Sequence, residues 1–350
     1  MTPRPITDND LAYWGVDTWN PVTGCDRCSP GCDNCYALAL AARLKRMGAA
    51  NYQTDGNPRT SGPGFGVQCH PEMLAQPLRW ARPRRIFVNS MSDLFHPDVP
   101  DEFIAQVFAV MACAPRHTFQ VLTKRPQRME HLLNQTTHRH GFREARELWI
   151  DRLVDGRLGR LRFTEADDLF AWPLPNVWLG VSIESDRYAF RADYLRNTPA
   201  AVRFISAEPL LGSLSSLDVT GFDWLVVGGE SGPHARPMHP AWVRDLRDRS
   251  GRWRCGRYDQ RVGPAFFFKQ WGEWVPYEPD PQPPFWGSQH GDLVDGHHLP
   301  ADLTEPGVHG GWLADDDVEI PVVYRRVGKK AAGRLLDGRT WGEFPGGGQA

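Results

Sequence analysis

The stretch YWGVDTWNPVTGCDRCSPGCDNCYALALAARLKR, residues 13–46, decides the fold prediction. Its first part, Tyr13 to Asn20, alternates large and small side chains and predicts a short strand that runs into a loop containing Pro and Gly. From Cys35 to Arg46 strong helix formers predominate, and Gly48 follows as a candidate C-cap. The cysteines between these two parts therefore lie on a strand-to-helix loop, in the first βα unit of the chain.

The alternation of strand and helix continues downstream. A helical pattern runs from Asp101 to Ala112, and helical or loop segments separate most of the later strands. Strands that recur with helices between them indicate parallel βα units, so we predict an α/β fold, a full or partial (β/α) barrel. The later predicted strands are Arg85–Ser90, His117–Lys124, Asn176–Ile183, Val202–Ser206, Trp224–Val227 and Ala265–Lys269.

Two segments interrupt this pattern. Residues from about 132 to 175 make a longer connection than is usual between βα units, and we expect a helical insertion outside the barrel. From residue 276 to residue 350 the composition turns acidic and Pro-rich, then basic around Lys329 and Lys330. We therefore expect a barrel over residues 1–275 and a partly flexible C-terminal appendage over residues 276–350, with a small strand pair between Val318 and Val327.

Composition and charge exclude several classes of protein. The 350 residues are 41% hydrophobic, which is enough to build a packed core. Lys and Arg number 40 against 42 Asp and Glu, so the chain as a whole is not a polycation that coats nucleic acid. No apolar run approaches the roughly 18 residues of a membrane span, and the first residues do not resemble a signal peptide. We expect a cytoplasmic protein without a membrane partner.

Four of the seven cysteines fall in one short segment, at positions 25, 28, 32 and 35, which predicts a metal site rather than a disulfide framework. Closely spaced thiolates bind zinc or an iron–sulfur cluster. A zinc ribbon separates its two cysteine pairs by about ten residues or more, whereas only Ser29, Pro30 and Gly31 intervene here. The spacing therefore favours a cluster, either with three cysteines and one open iron or with four cysteines and no open position, and structural zinc is the third alternative.

Several motifs resemble a known family. The run Cys28-Ser29-Pro30-Gly31-Cys32-Asp33-Asn34-Cys35 matches the CxxxCxxC pattern of the radical S-adenosylmethionine (SAM) superfamily. From Trp14 to Trp271 the chain resembles, more closely, the phage-type three-cysteine-motif proteins assigned to that superfamily. The resemblance implies a barrel of radical SAM type, with a [4Fe-4S] cluster and SAM as cofactors. The stretches that carry it are Thr18–Cys25, Ser29–Ala37, Phe87–Phe95, Leu122–Pro126, Trp178–Ser182, Ser206–Leu210, Gly228–Gly232 and Phe267–Gly272.

The resemblance implies two alternative sets of cluster ligands. The three-cysteine-motif family has the spacing C-x6-C-x2-C, which selects Cys25, Cys32 and Cys35 in this chain. The spacing of the wider superfamily selects Cys28 in place of Cys25. We favour Cys25 and keep Cys28 as the second choice.

Polar side chains follow every predicted strand, and in a (β/α) barrel the C-terminal ends of the strands build the active site. Ser92 and Asp93 match the position of the element that holds the amino group of SAM in the superfamily. Lys124 or Arg125 would bind the SAM carboxylate, because a carboxylate favours a cationic partner. These residues are therefore candidates for the cofactor site.

Further candidates lie on later strand ends and next to the cysteines. Ser182 and Glu184 offer a hydroxyl and a carboxylate to the ribose of SAM, and Gly228 and Gly229 would let the backbone approach the ligand. Many members of the superfamily carry an aromatic residue just before the last cysteine, near the adenine, whereas here the aromatic residue stands just after it. These further candidates are Tyr36, Ser182, Glu184, Glu208, Gly228, Gly229 and Glu230.

The resemblance implies an enzyme that cleaves SAM reductively and abstracts hydrogen from a substrate. An electron donor protein is an expected partner, and a separate partner protein is a further candidate. Between Arg236 and Arg261 lie eight Arg and three Asp with aromatic residues among them, a composition found in solvated helices and also in sites that bind phosphates and bases. We therefore consider a nucleotide or nucleic acid as substrate. The alternative function is a zinc- or Fe-S-containing nucleic-acid-binding protein without catalysis.

Overall fold

The computed structural model describes residues 17–135, 172–250, 252–255, 258–261, 263–277, 293–294, 297–298, 308–310 and 322–345. At its centre a seven-stranded parallel sheet curls into a half-barrel, with the strands neighbouring one another in chain order. This confirms the predicted α/β fold and a partial (β/α) barrel. The strands are β1 (Asp17–Trp19), β2 (Arg85–Val88), β3 (Thr118–Thr123), β4 (Val177–Ser182), β5 (Val202–Ala207), β6 (Trp224–Gly228) and β7 (Ala265–Gln270).

Helices connect several of these strands. The second has the bounds predicted for it, and the first is followed by Gly48, whose φ of 75° suits a residue without a side chain. Within the described ranges no helix combines the length and the apolarity that a bilayer crossing requires. The helices are α1 (Tyr36–Arg46), α2 (Asp101–Ala112), α3 (Pro126–Gln135), α4 (Arg191–Asn197), α5 (Pro240–Arg249) and α6 (Lys329–Ala332), with 3-10 turns at Pro30–Cys32, Ala50–Tyr52, Pro71–Met73, Pro77–Arg79 and Asp186–Tyr188.

Strand residues alternate between two buried faces of the sheet, as expected for parallel strands covered on both sides. One face, here called the helix face, packs into the main core with α2; it carries residues such as Val121 and Leu179. The other, the cavity face, carries Phe204, Trp224 and Phe267 in a second core cluster. The cavity face is therefore aromatic and apolar where the strands begin.

The end of the chain packs against the sheet. The ring of Phe344 lies 4.9 Å from that of Trp224 and 5.6 Å from that of Phe267. The backbone N of Phe268 donates to the carbonyl of Trp341, so the chain around Trp341 lies antiparallel beside β7. Residues 322–345 thus cover the exposed edge of the sheet and close the N-terminal end of the cavity face.

The remaining strands form small separate sheets. Val323–Arg326 lies within the segment where a strand pair was predicted, and it forms a three-stranded antiparallel sheet with Trp274–Tyr277 and Val308–Gly310. The predicted insertion at 132–175 begins within α3, and most of it lies outside the described residues. The two-stranded sheets pair Val22–Thr23 with Gln68–Cys69, Arg252–Cys255 with Tyr258–Arg261, Leu293–Val294 with His297–His298, and Leu335–Leu336 with Arg339–Thr340.

Candidate functional site

A cavity of about 690 Å³ opens at the C-terminal ends of the sheet strands. Its volume lies within the range of roughly 300 to 1,000 Å³ that is typical of small-molecule sites. Two of the predicted residues, Glu184 and Gly228, lie outside its lining. The predicted residues that line it are Cys25, Cys28, Cys32, Cys35, Tyr36, Ser92, Asp93, Lys124, Ser182, Glu208, Gly229 and Glu230.

The four cysteines lie on the rim of the cavity because the loop after β1 folds over the sheet. The backbone N of Gly24 donates to Met91, and that of Cys25 donates to Phe65, which fixes the start of the loop. Cys28 is exposed, whereas the other three cysteines are half-buried. Among the described residues, no three His, Cys, Asp or Glu side chains gather closely enough to hold one metal ion. The described residues therefore contain no preformed site for a single metal ion.

The thiols have unequal pKa values. Burial, reinforced by the negative charge of Asp93, raises the pKa of Cys25 to about 12. A hydrogen bond between the Cys28 and Cys32 thiols lowers the pKa of Cys32 and raises that of Cys28. Burial disfavours the charged form of Lys124, but the negative charges of Cys32, Glu184 and the other nearby cysteines together outweigh this effect and raise the pKa of the lysine. A cation thus stands beside the sulfurs.

Asp93 organises the cysteine end of the cavity. Its carboxylate accepts hydrogen bonds from the Thr123 hydroxyl, from the backbone N of Lys124 and Phe95, and from the Arg125 guanidinium. Arg125 Nη1 also lies 3.3 Å from Cys25 Sγ, and its Nη2 donates to the carbonyl of Asp26. The acid therefore positions the arginine, and the arginine holds the cysteine loop.

Three other predicted residues are also engaged within the protein. The Ser92 hydroxyl donates to the carbonyl of Val22 at 2.8 Å, and that of Ser182 donates to the carbonyl of Glu208 at 3.2 Å. Tyr36 is 61% exposed and donates its hydroxyl to the carbonyl of Ser90. These groups border the cavity and at the same time tie its loops together.

Glu184 and Gly228 support the cavity from behind. The carboxylate of Glu184 is fully buried and pairs with Arg191 Nη1 at 2.8 Å, while the backbone N of Gly31 lies 3.5 Å from its other oxygen. It therefore underlies the cysteine loop rather than facing the cavity. A Cβ at Gly228 would lie 3.1 Å from the Glu208 carboxylate, so the glycine makes room for that side chain.

Glu230 closes the cavity by joining the loop after β6 to the cysteine loop. It accepts hydrogen bonds from the Asn34 side-chain amide and from Arg236, which in turn donates to the carbonyl of Pro30. Burial opposes ionisation, but the hydrogen bonds from Arg236 prevail and lower the pKa of Glu230. At the neighbouring Gly229 a Cβ would lie 1.9 Å from the carbonyl of Trp271, so only glycine fits this close approach. We call the Asn34, Glu230 and Arg236 contacts the latch.

The opposite rim, formed by the ends of β5 to β7, carries a second buried ion pair. Lys269 Nζ lies 2.8 Å from the Glu208 carboxylate, which also accepts from the amide of Gln270. Burial lowers the pKa of Lys269, although Glu208 opposes this shift. Ser206 on β5 and Lys329 at the start of α6 line the cavity beside this pair.

Sequence reasoning did not assign roles to several of these residues. Ser206 and Lys269 stood among the polar strand ends, but nothing local distinguished them from ordinary solvent-facing positions. Arg236 and Lys329 reach the site through long-range packing, so no spacing rule near the cysteines could have found them. Their roles depend on the folded chain.

The arginine-rich stretch is largely occupied by internal contacts where its side chains are described. Arg244 and Arg247 pair with Asp337 of the C-terminal segment. Arg249 donates to the carbonyls of Leu214 and Leu217, and Arg236 belongs to the latch. The side chains beyond residue 250 in this stretch lie outside the described residues. The contacts of Arg244, Arg247 and Arg249 join α5 to its neighbours.

The donor set fits an iron–sulfur cluster with SAM. Thiolates are the ligands that such clusters take, and all four thiols of the cysteine loop line this one cavity. Lys124 stands beside those sulfurs, and within the described residues its ammonium makes no ion pair with a carboxylate. The cavity therefore offers soft donors, a cation and sufficient volume at one place.

Fold and site together define a protein with a parallel α/β half-barrel and a cysteine-lined cavity at the C-terminal strand ends. A family described as "Protein of unknown function (DUF5131)" matches residues 11–345 of the chain. The chain therefore belongs to this family. Comparisons with curated proteins and with solved structures gave no match.

Proposed function

We propose that this protein is a radical SAM enzyme with a half-barrel of the radical SAM type and a [4Fe-4S] cluster on its cysteine loop. One observation carries the proposal: four closely spaced cysteines and the polar ends of five parallel strands line the same cavity. When bound, the cluster would supply one electron for the cleavage of SAM into methionine and a 5'-deoxyadenosyl radical, which abstracts hydrogen from the substrate.

Cys25, Cys32 and Cys35 are the proposed ligands. Cys25 is half-buried and touches Arg125, which Asp93 fixes in place, whereas Cys28 is exposed. A buried, oriented thiol needs less reordering to bind a metal than a thiol on an exposed turn. These contacts support Cys25 over Cys28 as the third ligand.

The other residues of the cavity bind and orient SAM in this proposal. Lys124 offers its ammonium to the SAM carboxylate, and Asp93 holds the backbone of Lys124 in position through a hydrogen bond of 3.0 Å. The aromatic residues Phe204, Trp224 and Phe267 line the other end of the cavity face, where apolar side chains exclude water. The protein therefore contributes positioning and a dry cavity.

The substrate in this proposal is a nucleotide or nucleic acid, and an electron donor protein supplies the electron. Support for this substrate class comes from the arginine and aromatic composition between Arg236 and Arg261 and from the phage-type family that the motifs resemble. The described arginines of this stretch are engaged in internal contacts. A nucleotide bound in the cavity therefore fits these contacts better than a polymer bound across α5.

The test is anaerobic reconstitution of the full chain with iron and sulfide, followed by incubation with dithionite and SAM. We expect a brown protein that forms 5'-deoxyadenosine. The Cys69→Ala variant is the matched control, because Cys69 lies outside the cavity lining, and it should form the same product. A colourless protein that carries stoichiometric zinc and forms no 5'-deoxyadenosine would favour the non-catalytic nucleic-acid-binding alternative.

A further inference from the structure

We propose that the cavity holds a second binding site, for an oxyanion of the substrate, at the ends of β5 to β7. Its proposed ligands are Ser206, Lys269 and Lys329, and the oxyanion is a phosphate or a carboxylate. That this ligand is the substrate rests on the proposed function, whereas the binding of an oxyanion can be measured without it. We call this region of the cavity the lysine side.

Ser206 provides the first observation. Its side chain is fully buried on the cavity face of β5 and lines the cavity, yet its hydroxyl has no hydrogen-bond partner among the described residues. Buried hydroxyl groups nearly always have a partner, so an unpaired one in a cavity wall indicates a group that a ligand satisfies. A hydroxyl can donate its proton to an oxyanion.

Lys269 provides a buried cation on the same face of the sheet as that hydroxyl. The register places Ser206 opposite Val226 on β6, and Val226 opposite Phe267 on β7, so Lys269 follows two residues further along the same face. The pairing of β7 with β6 is irregular between Phe268 and Gln270, and Lys269 lies at that irregularity. Its ammonium is anchored by Glu208 and lines the cavity. Strand β7 thus places the Lys269 ammonium, which Glu208 orients, where it can donate a hydrogen bond to the ligand.

Lys329 provides the charge that Glu208 does not neutralise. It reaches the same cavity, and its positive charge acts on Lys269, so the two ammonium groups are neighbours. Within the described residues no ion pair engages Lys329. Glu208 pairs with Lys269, and the exposed Lys329 adds a second ammonium group on this side of the cavity, which an oxyanion ligand would balance.

The C-terminal segment fixes Lys329 in this position. Asp337 pairs with Arg244 and Arg247, the Trp271 indole donates to the carbonyl of Leu335, and Phe344 is buried against the sheet. These contacts lie close to Lys329 along the chain and hold its helix against the strand ends. The segment predicted as an appendage thus completes the cavity.

The lysine side differs from the place proposed for SAM. Lys124 stands beside the cysteines at the end of β3, and Lys269 ends β7, with three strands between them in the sheet. The cavity therefore has, as far as the described residues show, one lysine without an ion pair for the carboxylate of SAM and another for a second anionic ligand.

The test titrates inorganic phosphate and, separately, acetate into the anaerobically purified full chain, with binding followed by calorimetry. We expect Lys329→Gln to weaken the binding of the preferred anion about tenfold, the loss expected for one charge-assisted hydrogen bond. Lys330→Gln is the matched control, because Lys330 is the next residue of the same helix and lies outside the cavity lining, so its affinity should equal that of the wild type. Ser206→Ala, which removes one oxygen and no charge, should weaken binding about fivefold.

The outcomes separate the proposals. Tighter binding of phosphate supports a phosphorylated substrate, and tighter binding of acetate supports a carboxylate substrate; each supports the oxyanion site. Equal affinities for Lys329→Gln and Lys330→Gln, or a loss of binding confined to Lys124→Gln, would overturn it. Formation of 5'-deoxyadenosine by the wild type tests the enzyme proposal independently, because anion binding does not depend on it.

Discussion

The two sides of the cavity contain similar charged groups, but their residues come from different parts of the sequence. On the cysteine side, Asp93 pairs with Arg125 and leaves Lys124 without an ion pair among the described residues. On the lysine side, Glu208 pairs with Lys269, and Lys329 takes the unpaired place. The cysteine side alone offers sulfur donors, which is why we assign the cluster to it and a second anion to the other.

The two sides differ in how far apart their residues lie along the sequence. The cysteine loop lies between β1 and α1, and its four cysteines all fall within residues 25–35. The lysine side joins strands of the sheet to a helix near the end of the chain. A local motif therefore encodes the first side, whereas the second exists only when residues 322–345 pack against the sheet.

The largest expected effect is on the cysteine side. Cys32→Ala or Cys35→Ala should remove most of the bound iron, because each takes a sulfur ligand from the proposed cluster. Cys25→Ala should do the same, while Cys28→Ala should retain the iron. Iron and sulfide analysis after reconstitution distinguishes the four variants, and the opposite result for Cys25 and Cys28 would reassign the third ligand.

Phe344→Ala tests the lysine side through its packing. Phe344 is buried against Trp224 and Phe267, so truncation should lower the free energy of unfolding by about 4 kcal/mol. Phe190→Ala is the control, because Phe190 is 44% exposed and should lose far less. Urea unfolding measures both variants. A small loss for Phe344→Ala would mean that Phe344 does not anchor to the sheet the C-terminal segment that carries Lys329.

Asp93→Ala tests the cysteine side in the same way. The change leaves Arg125 partly buried without its acid and removes the acceptor for Thr123, so we expect a loss of about 3 kcal/mol in the free energy of unfolding. Asp98→Ala is the control, because Asp98 is exposed in the same region. Equal unfolding midpoints for the two variants would show that Asp93 does not organise this side.

The smallest expected effect concerns the latch that joins the two sides. Glu230→Gln removes the charge that Arg236 and Asn34 contact, and we expect a loss of about 1 kcal/mol. Because the folded protein lowers the pKa of Glu230 below its usual 4.5, the charge stabilises the protein fully above that pH and loses its effect as the pH falls through the lower, native value. The difference between wild type and variant should therefore shrink in acid, as measured by urea unfolding at neutral and acid pH. A difference that stays constant across this range would contradict the ionised latch.

Much of the fold was predictable because parallel strands buried on both faces are short apolar runs that stand out from their surroundings. The predicted strand Val202–Ser206 matches β5 to within one residue, and Asp101–Ala112 matches α2. The convergence of the cysteines with Asp93 and Lys124 was predictable as well, since strand ends of a barrel meet at one edge.

The rest depended on packing that spacing does not encode. Glu184 follows a strand, as a cavity residue would, but its ion pair with Arg191 holds its carboxylate behind the cavity lining. Glu230 was expected at the cofactor, yet its carboxylate is shared between Asn34 and Arg236. At Lys329 the sequence shows only the basic pair Lys329-Lys330, which does not indicate a place in the cavity. For Glu184 and Glu230, partners that only the folded chain brings into contact decide where the charge lies.

The central claim is that the cysteine loop holds a four-iron cluster with one iron open to SAM. The most direct test is electron paramagnetic resonance of the reconstituted, dithionite-reduced full chain before and after SAM is added. The claim predicts about four irons per chain and a cluster signal that SAM shifts. A cluster signal that SAM leaves unchanged, or a chain that binds zinc and gives no signal, would contradict it.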